Sequence, residues 1–413
     1  MDLLEPVTQP YAWGSHTAIA ALTGRPVPTA EPEAELWMGA HQSAPSGVAL
    51  PGGGRGTLDA LIAADPVREL GRESVAQFGQ RLPFLLKVLA AEKALSIQVH
   101  PSRLQAEVGF LAENERGLAL GDKARNYGDD WPKPELLCAL TRFEALAGLR
   151  APQDAAALLK ELGVGQLDLV AAILAAADSP QGLTEALAAI LAWAPERRAA
   201  LVAHVAAGCA GVAAGGGPYA AACAAAVRLN REHPGDLGVV ASLLLRHVVL
   251  QPGEAVFMPA GGLHAYLHGT GIELLANSDN VIRAGLTPKH IDVPELLKLT
   301  DPAVAVPVLE PRPLGGGLFV YDSPAPEFRL YRAELGDGEI TLPGSGGARI
   351  AFCTDGAATL RAGGGAAAAA AAADLTVGQG ESCFVAAADG AVSMSGPATV
   401  FIAGSGLGPA PRG

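Results

Sequence analysis

Gly253-Glu254-Ala255-Val256-Phe257-Met258-Pro259-Ala260-Gly261-Gly262-Leu263-His264 is the stretch whose reading decides the fold of this chain. Alternating apolar residues through Val256 and Met258 describe a strand, and Pro259 ends it because proline has no N–H for a strand ladder. Gly261 and Gly262 supply a tight turn. The turn hands His264 to the start of a second apolar run, Ala265-Tyr266-Leu267. A histidine in such a place is usually satisfied by ordinary hydrogen bonds, so it becomes a candidate ligand only in company.

That company lies upstream. In Leu95-Ser96-Ile97-Gln98-Val99-His100-Pro101 the alternation puts Leu95, Ile97 and Val99 on one face of a strand and Ser96, Gln98 and His100 on the other. In Trp131-Pro132-Lys133-Pro134-Glu135-Leu136-Leu137 a carboxylate sits between a stretch kept extended by its prolines and another apolar strand. By itself Glu135 would be a salt-bridge partner for Lys133. Together Gln98, His100, Glu135 and His264 offer two imidazole nitrogens and two oxygen donors, which suits a divalent ion of borderline hardness such as zinc. A donor set without thiolates also leaves room for water or substrate, as catalytic sites need. His16, His41, His204, His233, His247, His268 and His290 have no comparable spacing.

The rest of the chain frames this cluster. At 413 residues it exceeds one compact core, and two or three domains are expected. Net charge is −13, which argues against a nucleic-acid or anionic-membrane surface, since both need an excess of basic side chains. Half the residues are hydrophobic and 17% are charged, against about 25% in typical soluble domains, so a folded chain is expected. The five cysteines (Cys138, Cys209, Cys223, Cys353 and Cys383) are odd in number, widely spaced and contain no Cys-x-x-Cys pair. Neither a disulfide framework nor a thiolate metal site is expected, and a reducing cytoplasm is the natural home. The first residues, Met1 to Pro6, carry neither a basic region nor an apolar stretch of the kind a signal peptide has.

Residues 1–150 read as turn-rich mixed structure. From Ala151 to Leu237 the pattern is helical, with an Ala- and Leu-rich texture and no clustered polar chemistry. Ala199 to Val227 lacks charged residues and is long enough to span a bilayer, but Gly215-Gly216-Gly217-Pro218 interrupts it, and two Ala-rich soluble helices are expected. Strands return from 238 to 300, and short apolar runs between Gly and Pro over 301–413 describe a further β domain. Ala366 to Ala373 reads as a low-complexity surface loop within it.

The piece from Gly253 to His264 resembles the second cupin motif, except that His268 occupies the motif's final Asn position. More closely, the chain resembles the type I phosphomannose isomerases. The likeness is carried by Tyr11-Ala12-Trp13-Gly14, Ala34-Glu35-Leu36-Trp37-Met38-Gly39, Pro83-Phe84-Leu85-Leu86-Lys87, the Leu95–Pro101 string, Lys133-Pro134-Glu135, and the run from His264 to Lys289. It covers 1–150 and about 250–300 well, and the rest in character only.

The resemblance implies a mainly β protein with an all-α insert. Residues 1–150 and 238–300 would form a cupin jelly-roll catalytic domain, 151–237 a helical domain, and 301–413 a jelly-roll-like C-terminal domain. It implies one zinc ion per chain on Gln98, His100, Glu135 and His264, and interconversion of mannose 6-phosphate and fructose 6-phosphate through an enediolate. Arg283, Lys133 and Glu273 would be catalytic, with Arg283 the essential arginine and the base left between Lys133 and Glu273. Lys87, Ser96, Tyr266 and Lys289 would bind substrate. A cytoplasmic monomer acting on a small sugar phosphate, with no nucleic-acid or membrane partner, is expected. One departure bears on mechanism: the family's usual histidine ahead of Lys-Pro-Glu is Pro132 here, so no step can use it. Two other readings stay open at this stage: a non-catalytic sugar-sensing cupin and an iron-dependent cupin dioxygenase, although the Gln98 amide suits iron poorly.

Overall fold

The computed structural model describes residues 1–50, 54–363 and 374–408. The Ala366–Ala373 run lies outside them. Among the described residues the strands form two sheets, one of 11 and one of 12 strands, with a block of helices against the first.

The first sheet holds the strings singled out above. Its long strand, His264–Ala276, pairs antiparallel with four others. The second half of that strand, Gly269 to Ala276, lies between Phe84–Ala91 and Glu135–Ala139. Its first half pairs with Phe143–Leu149, and His264 also stands opposite Gln98 of Ile97–Val99. The register shifts between Tyr266 and His268, and Gly269 sits at φ +128°, so the strand bends there and changes partners. One strand thereby belongs to both walls of a jelly roll.

Side-chain parity then sorts the residues. Phe84–Ala91 is buried on both faces. Leu86, Val88 and Ala90 pack toward the second sheet against Ile350, Phe352, Phe384 and Phe401. The alternate residues Lys87 and Leu89 face the jelly-roll interior, which places an ammonium inside a buried strand. In Glu135–Ala139, Leu136 and Cys138 join the inter-sheet core while Glu135 points inward. Ile272 and Leu274 likewise bracket an inward Glu273.

On the opposite wall Ile97, Val99, Leu146, Ala265, Leu267 and Ile282 turn outward into a core shared with the helices. The helical stretch runs from Pro152 to Leu244, past the boundary at 237 that the sequence pattern marked. The uncharged stretch forms two helices, Pro195–Gly215 and Ala220–Glu232. The first is long and apolar enough to cross a membrane by length and composition, and it buries Leu201, Val202, Val205, Cys209 and Val212 against its neighbours. All five cysteines are buried and unbridged.

The second sheet draws its strands from both ends of the chain. Asp2–Glu5 pairs with Ser382–Val385 and with Gly47–Ala49, which in turn pairs with Arg55–Thr57. Early residues thus complete the sheet built by 312–404.

Candidate active site

The inward residues of both walls surround a cavity of about 960 Å³. Its lining includes Lys87, Ser96, Gln98, Lys133, Glu135, Tyr266, Glu273, Arg283 and Lys289. His100 and His264 lie beneath its floor, 1% and 0% exposed. All eleven residues named from the sequence therefore gather at one place.

The turn read as Pro-x-Gly-Gly delivers His264 as follows. Gly262 N–H donates to the Pro259 carbonyl at 3.1 Å, and Gly261 N–H to the His100 carbonyl at 3.0 Å. Gly261 has φ +81°, and a Cβ there would sit 2.9 Å from the Asp301 side chain. The Gly262 carbonyl then accepts from His264 Nδ1 at 3.0 Å. His100 Nδ1 donates to the Asn280 carbonyl at 2.7 Å. A carbonyl only accepts, so both rings carry a proton on Nδ1 and turn Nε2 inward. Glu135 meets them: Oε1 is 3.3 Å from His100 Nε2, and Oε2 is 3.3 Å from His264 Nε2. Gln98 lies 3.3 Å from His264 Nε2 through its amide, and a half-turn of that amide presents its oxygen instead.

This arrangement fits a metal ion. The ligand atoms of His100, Glu135 and His264 all lie within 4.8 Å of one another, and buried His100 Nε2 has no hydrogen-bond partner. Protonation also fits. Burial first, with help from Lys133 and His264 and against Glu135, pushes His100 down to about 4, so the ring is neutral at pH 7. Burial works against ionisation of Glu135, but its surroundings, with the Lys133 ammonium 3.2 Å away, outweigh burial and hold the carboxyl well below its usual range. Two neutral imidazoles and a carboxylate are the form in which these groups bind zinc.

A sequence model described as phosphomannose isomerase type I, catalytic domain, matches residues 1–152. The mannose-6-phosphate isomerase of Escherichia coli (strain K12) is 38% identical over 404 residues, covering 96% of this chain and 97% of the relative. That of Bos taurus is 34% identical and covers 82% of each chain. The chain belongs to the mannose-6-phosphate isomerase family. Solved structures agree. A zinc-bound mannose 6-phosphate isomerase superposes with TM-score 0.87 at 34% identity over 98% of this chain and 99% of that one. A mutant of phosphomannose isomerase from Salmonella typhimurium gives 0.88 at 34% identity, over 98% and 100%.

Against the background of the mannose-6-phosphate isomerase family, two groupings around the ligands stand out. Lys133 Nζ is 3.2 Å from Glu135 Oε1, and the Tyr266 hydroxyl donates to Glu135 Oε2 at 3.5 Å. Deeper in, Lys87 Nζ lies 3.4 Å from Glu35 and 3.3 Å from Glu273, and 4.8 Å from the centroid of the Trp37 ring. Burial alone would discharge this lysine, but Glu35, Glu273 and Glu135 outweigh burial and keep it protonated. Glu273 is pushed up to about 7, by burial first and by Glu135 and Glu35, against Lys87 and Lys133.

At the mouth, half-buried Arg283 stands opposite Gln98 in strand register, and exposed Lys289 follows on the next loop. Neither has an ion pair among the described residues. The nearby guanidinium is the main reason the Lys289 ammonium is pushed down, with desolvation second.

Glu35, Trp37 and Asn280 belong to the site but lie within strings that carry no local sign of a role. Parity along Glu35–Met38 could have placed Glu35 and Trp37 together on one face, but nothing local marks which face is inside. His268 is exposed on its strand and takes no part in the site. Pro132 is buried ahead of Lys133.

Proposed function

We propose that this chain is a zinc-dependent aldose–ketose isomerase that interconverts mannose 6-phosphate and fructose 6-phosphate through an enediolate. The observation that carries the reading is the cluster of two inward Nε2 atoms and one ionised carboxylate beside a sugar-sized cavity whose mouth carries the cations Arg283 and Lys289. The Gln98 amide is the fourth donor.

The reaction moves a proton from C2 of the aldose to C1 of the ketose. The C–H is weakly acidic, so a base must be held at C1 and C2 and the developing oxyanion stabilised. Glu273 takes the base role in this reading, because its pKa of about 7 lets it accept and return a proton near neutral pH. Lys133, kept beside Glu135, and Arg283 face the oxyanion as cations. When bound, zinc would polarise a substrate oxygen, a contribution of several kcal/mol. Lys87 is engaged by Glu35 and Glu273, so it sets the charge state of the base instead of meeting the phosphate. Lys289 and Ser96 receive the phosphate, whose dianion would relieve the repulsion between Lys289 and the neighbouring Arg283. Tyr266 borders the sugar from the metal side.

We place the helical unit over 151–237, continued by short helical turns to Leu244, and assign the strands at 2–5 and 47–57 to the C-terminal sheet. We place the protein in the cytoplasm as a monomer whose partner is a soluble sugar phosphate, supported by its acidic charge and five unbridged cysteines. Zinc-loaded protein incubated with mannose 6-phosphate should form fructose 6-phosphate and lose that activity to a chelator. No turnover after zinc loading rejects the reading.

A further inference from the structure

We propose that Asp236, at the exit of the helical region, is the positioning residue for the cavity wall that carries Arg283 and Lys289. Through that wall it fixes the end of the pocket that takes the substrate's phosphate. The inference rests on the isomerase reading above.

Asp236 lies 50 residues from the loop it holds. Its Oδ1 accepts from Gly238 N–H at 2.6 Å and from Leu286 N–H at 3.0 Å, and Oδ2 accepts from Thr287 N–H at 3.1 Å. Two successive amides of the far loop are thus gathered onto one carboxylate. At that point the chain does something unusual: buried Leu286 has φ +57°, among the described residues the one non-glycine with positive φ. A branched side chain rarely adopts this conformation without outside support. The support is a close backbone contact as well as the carboxylate. A Cβ on Gly238 would sit 2.5 Å from Leu286 N, and one on Gly285 would sit 2.5 Å from the Gly238 Cα. Beyond this bend the Thr287 hydroxyl accepts from Lys289 N–H at 3.1 Å, which carries the constraint to the lysine.

The same corner reaches the other wall. Glu232 Oε2 accepts from Ala94 N–H at 3.1 Å, just before Ser96 and Gln98. Arg231, Glu232 and His233 line the cavity. The helical region therefore sets the separation of the two walls at the mouth. Asp236 does so through backbone hydrogen bonds and not through charge on Arg283, whose pKa is lowered by burial alone.

The test uses full-length zinc-loaded protein with Asp236→Ala and Asp236→Asn. Calorimetric titration with inorganic phosphate is read beside KM and kcat for mannose 6-phosphate. Loss of three hydrogen bonds to a carboxylate should weaken phosphate binding and raise KM about tenfold or more. Because strand pairing with Gln98 still holds Arg283, kcat should stay within roughly threefold, and zinc content should not change. Asparagine keeps the Oδ1 acceptor and loses the one for Thr287, so Asp236→Asn should fall between Ala and the parent. Asp154→Asn, which breaks the Arg150 pair inside the helical region, should leave phosphate affinity unchanged.

A folded Asp236→Ala protein that binds phosphate like the parent overturns the assignment. So does a parent that binds no phosphate, or a loss confined to kcat. If Asp236→Ala does not fold, Asp236→Asn decides alone, and parental phosphate affinity then overturns it. A parent that binds phosphate with the expected dependence on Asp236 but fails to isomerise refutes the isomerase reading and leaves the loop assignment standing.

Discussion

Glu273 and Lys87 stand directly opposite each other across two antiparallel strands, with carboxylate and ammonium 3.3 Å apart and both side chains buried. Strand register fixes the pair, and the second carboxylate, Glu35, makes it a triad one positive charge short of neutrality. The strained balance keeps Glu273 near neutral pKa, which suits a group that must gain and lose a proton in each turnover.

Lys87→Met should therefore move the pH profile. Lys87 lowers the pKa of Glu273, so removing it raises that pKa, and the ascending limb of kcat/KM should shift to higher pH while zinc content holds. In the parent the limb should lie at or below about pH 7, because a bound divalent ion favours the carboxylate further. An unmoved limb in the variant would detach Glu273 from the base role, and Glu273→Gln should remove the limb with most of the activity.

Metal content should divide the ligand set from its supports. His264→Ala and Gln98→Ala each remove a donor and should lower zinc affinity by more than the roughly 10- to 100-fold typical of losing an outer partner. Asn280→Ala should fall within that range. The Asn280 side chain ties its own loop to the Trp131 carbonyl at 2.8 Å and to Gly128 N–H at 2.9 Å, which steadies the carbonyl that orients His100. Zinc measured on dialysed protein orders the three.

Arg283→Ala should keep the metal and lose turnover by about a hundredfold or more, the scale of losing one oxyanion-stabilising donor. Steady-state kinetics beside metal analysis checks this, and full activity would remove Arg283 from the chemistry.

Glu144 gives a pH prediction for stability. It receives His247 Nε2 at 2.6 Å and Arg228 at 2.8 Å, joining the helical region to the jelly roll. Burial opposes ionisation, but these two partners outweigh it and hold Glu144 down to about 2 from the usual 4.5. A depressed carboxyl contributes stability above the unfolded pKa and loses it as pH falls through the folded one. The contribution, on the order of 3 kcal/mol, should be complete above about pH 5 and lost between 4.5 and 2. Denaturant unfolding of parent and Glu144→Gln should show a stability gap near pH 6 that closes by pH 2. A constant gap across that range would refute the linkage.

The metal site was legible because its donors sit in strings with strong local signatures. Pro259 and the paired glycines announce the turn before His264, and period-two alternation separates Gln98 and His100 from Ile97 and Val99. The Lys87 triad was not. Lys87 sits in a run of apolar residues, where a cation is ordinarily read as surface charge or a substrate contact, and its partners Glu35 and Glu273 are remote in sequence. Asp236 carried no signal at all, since its work is done on backbone amides 50 residues away.

By itself the sequence determined the strand character of the site segments, the helical texture after Ala151 and His100, Glu135 and His264 as candidate ligands, because turn chemistry and periodicity are local properties of the chain. Only the tertiary structure decided that the helical region braces the pocket mouth, and that strands from residues 2–57 complete the C-terminal sheet. It also decided that Lys87 is enclosed between two carboxylates. Each of these depends on which strands become neighbours and in what register, and a register is chosen by burial of whole faces at once.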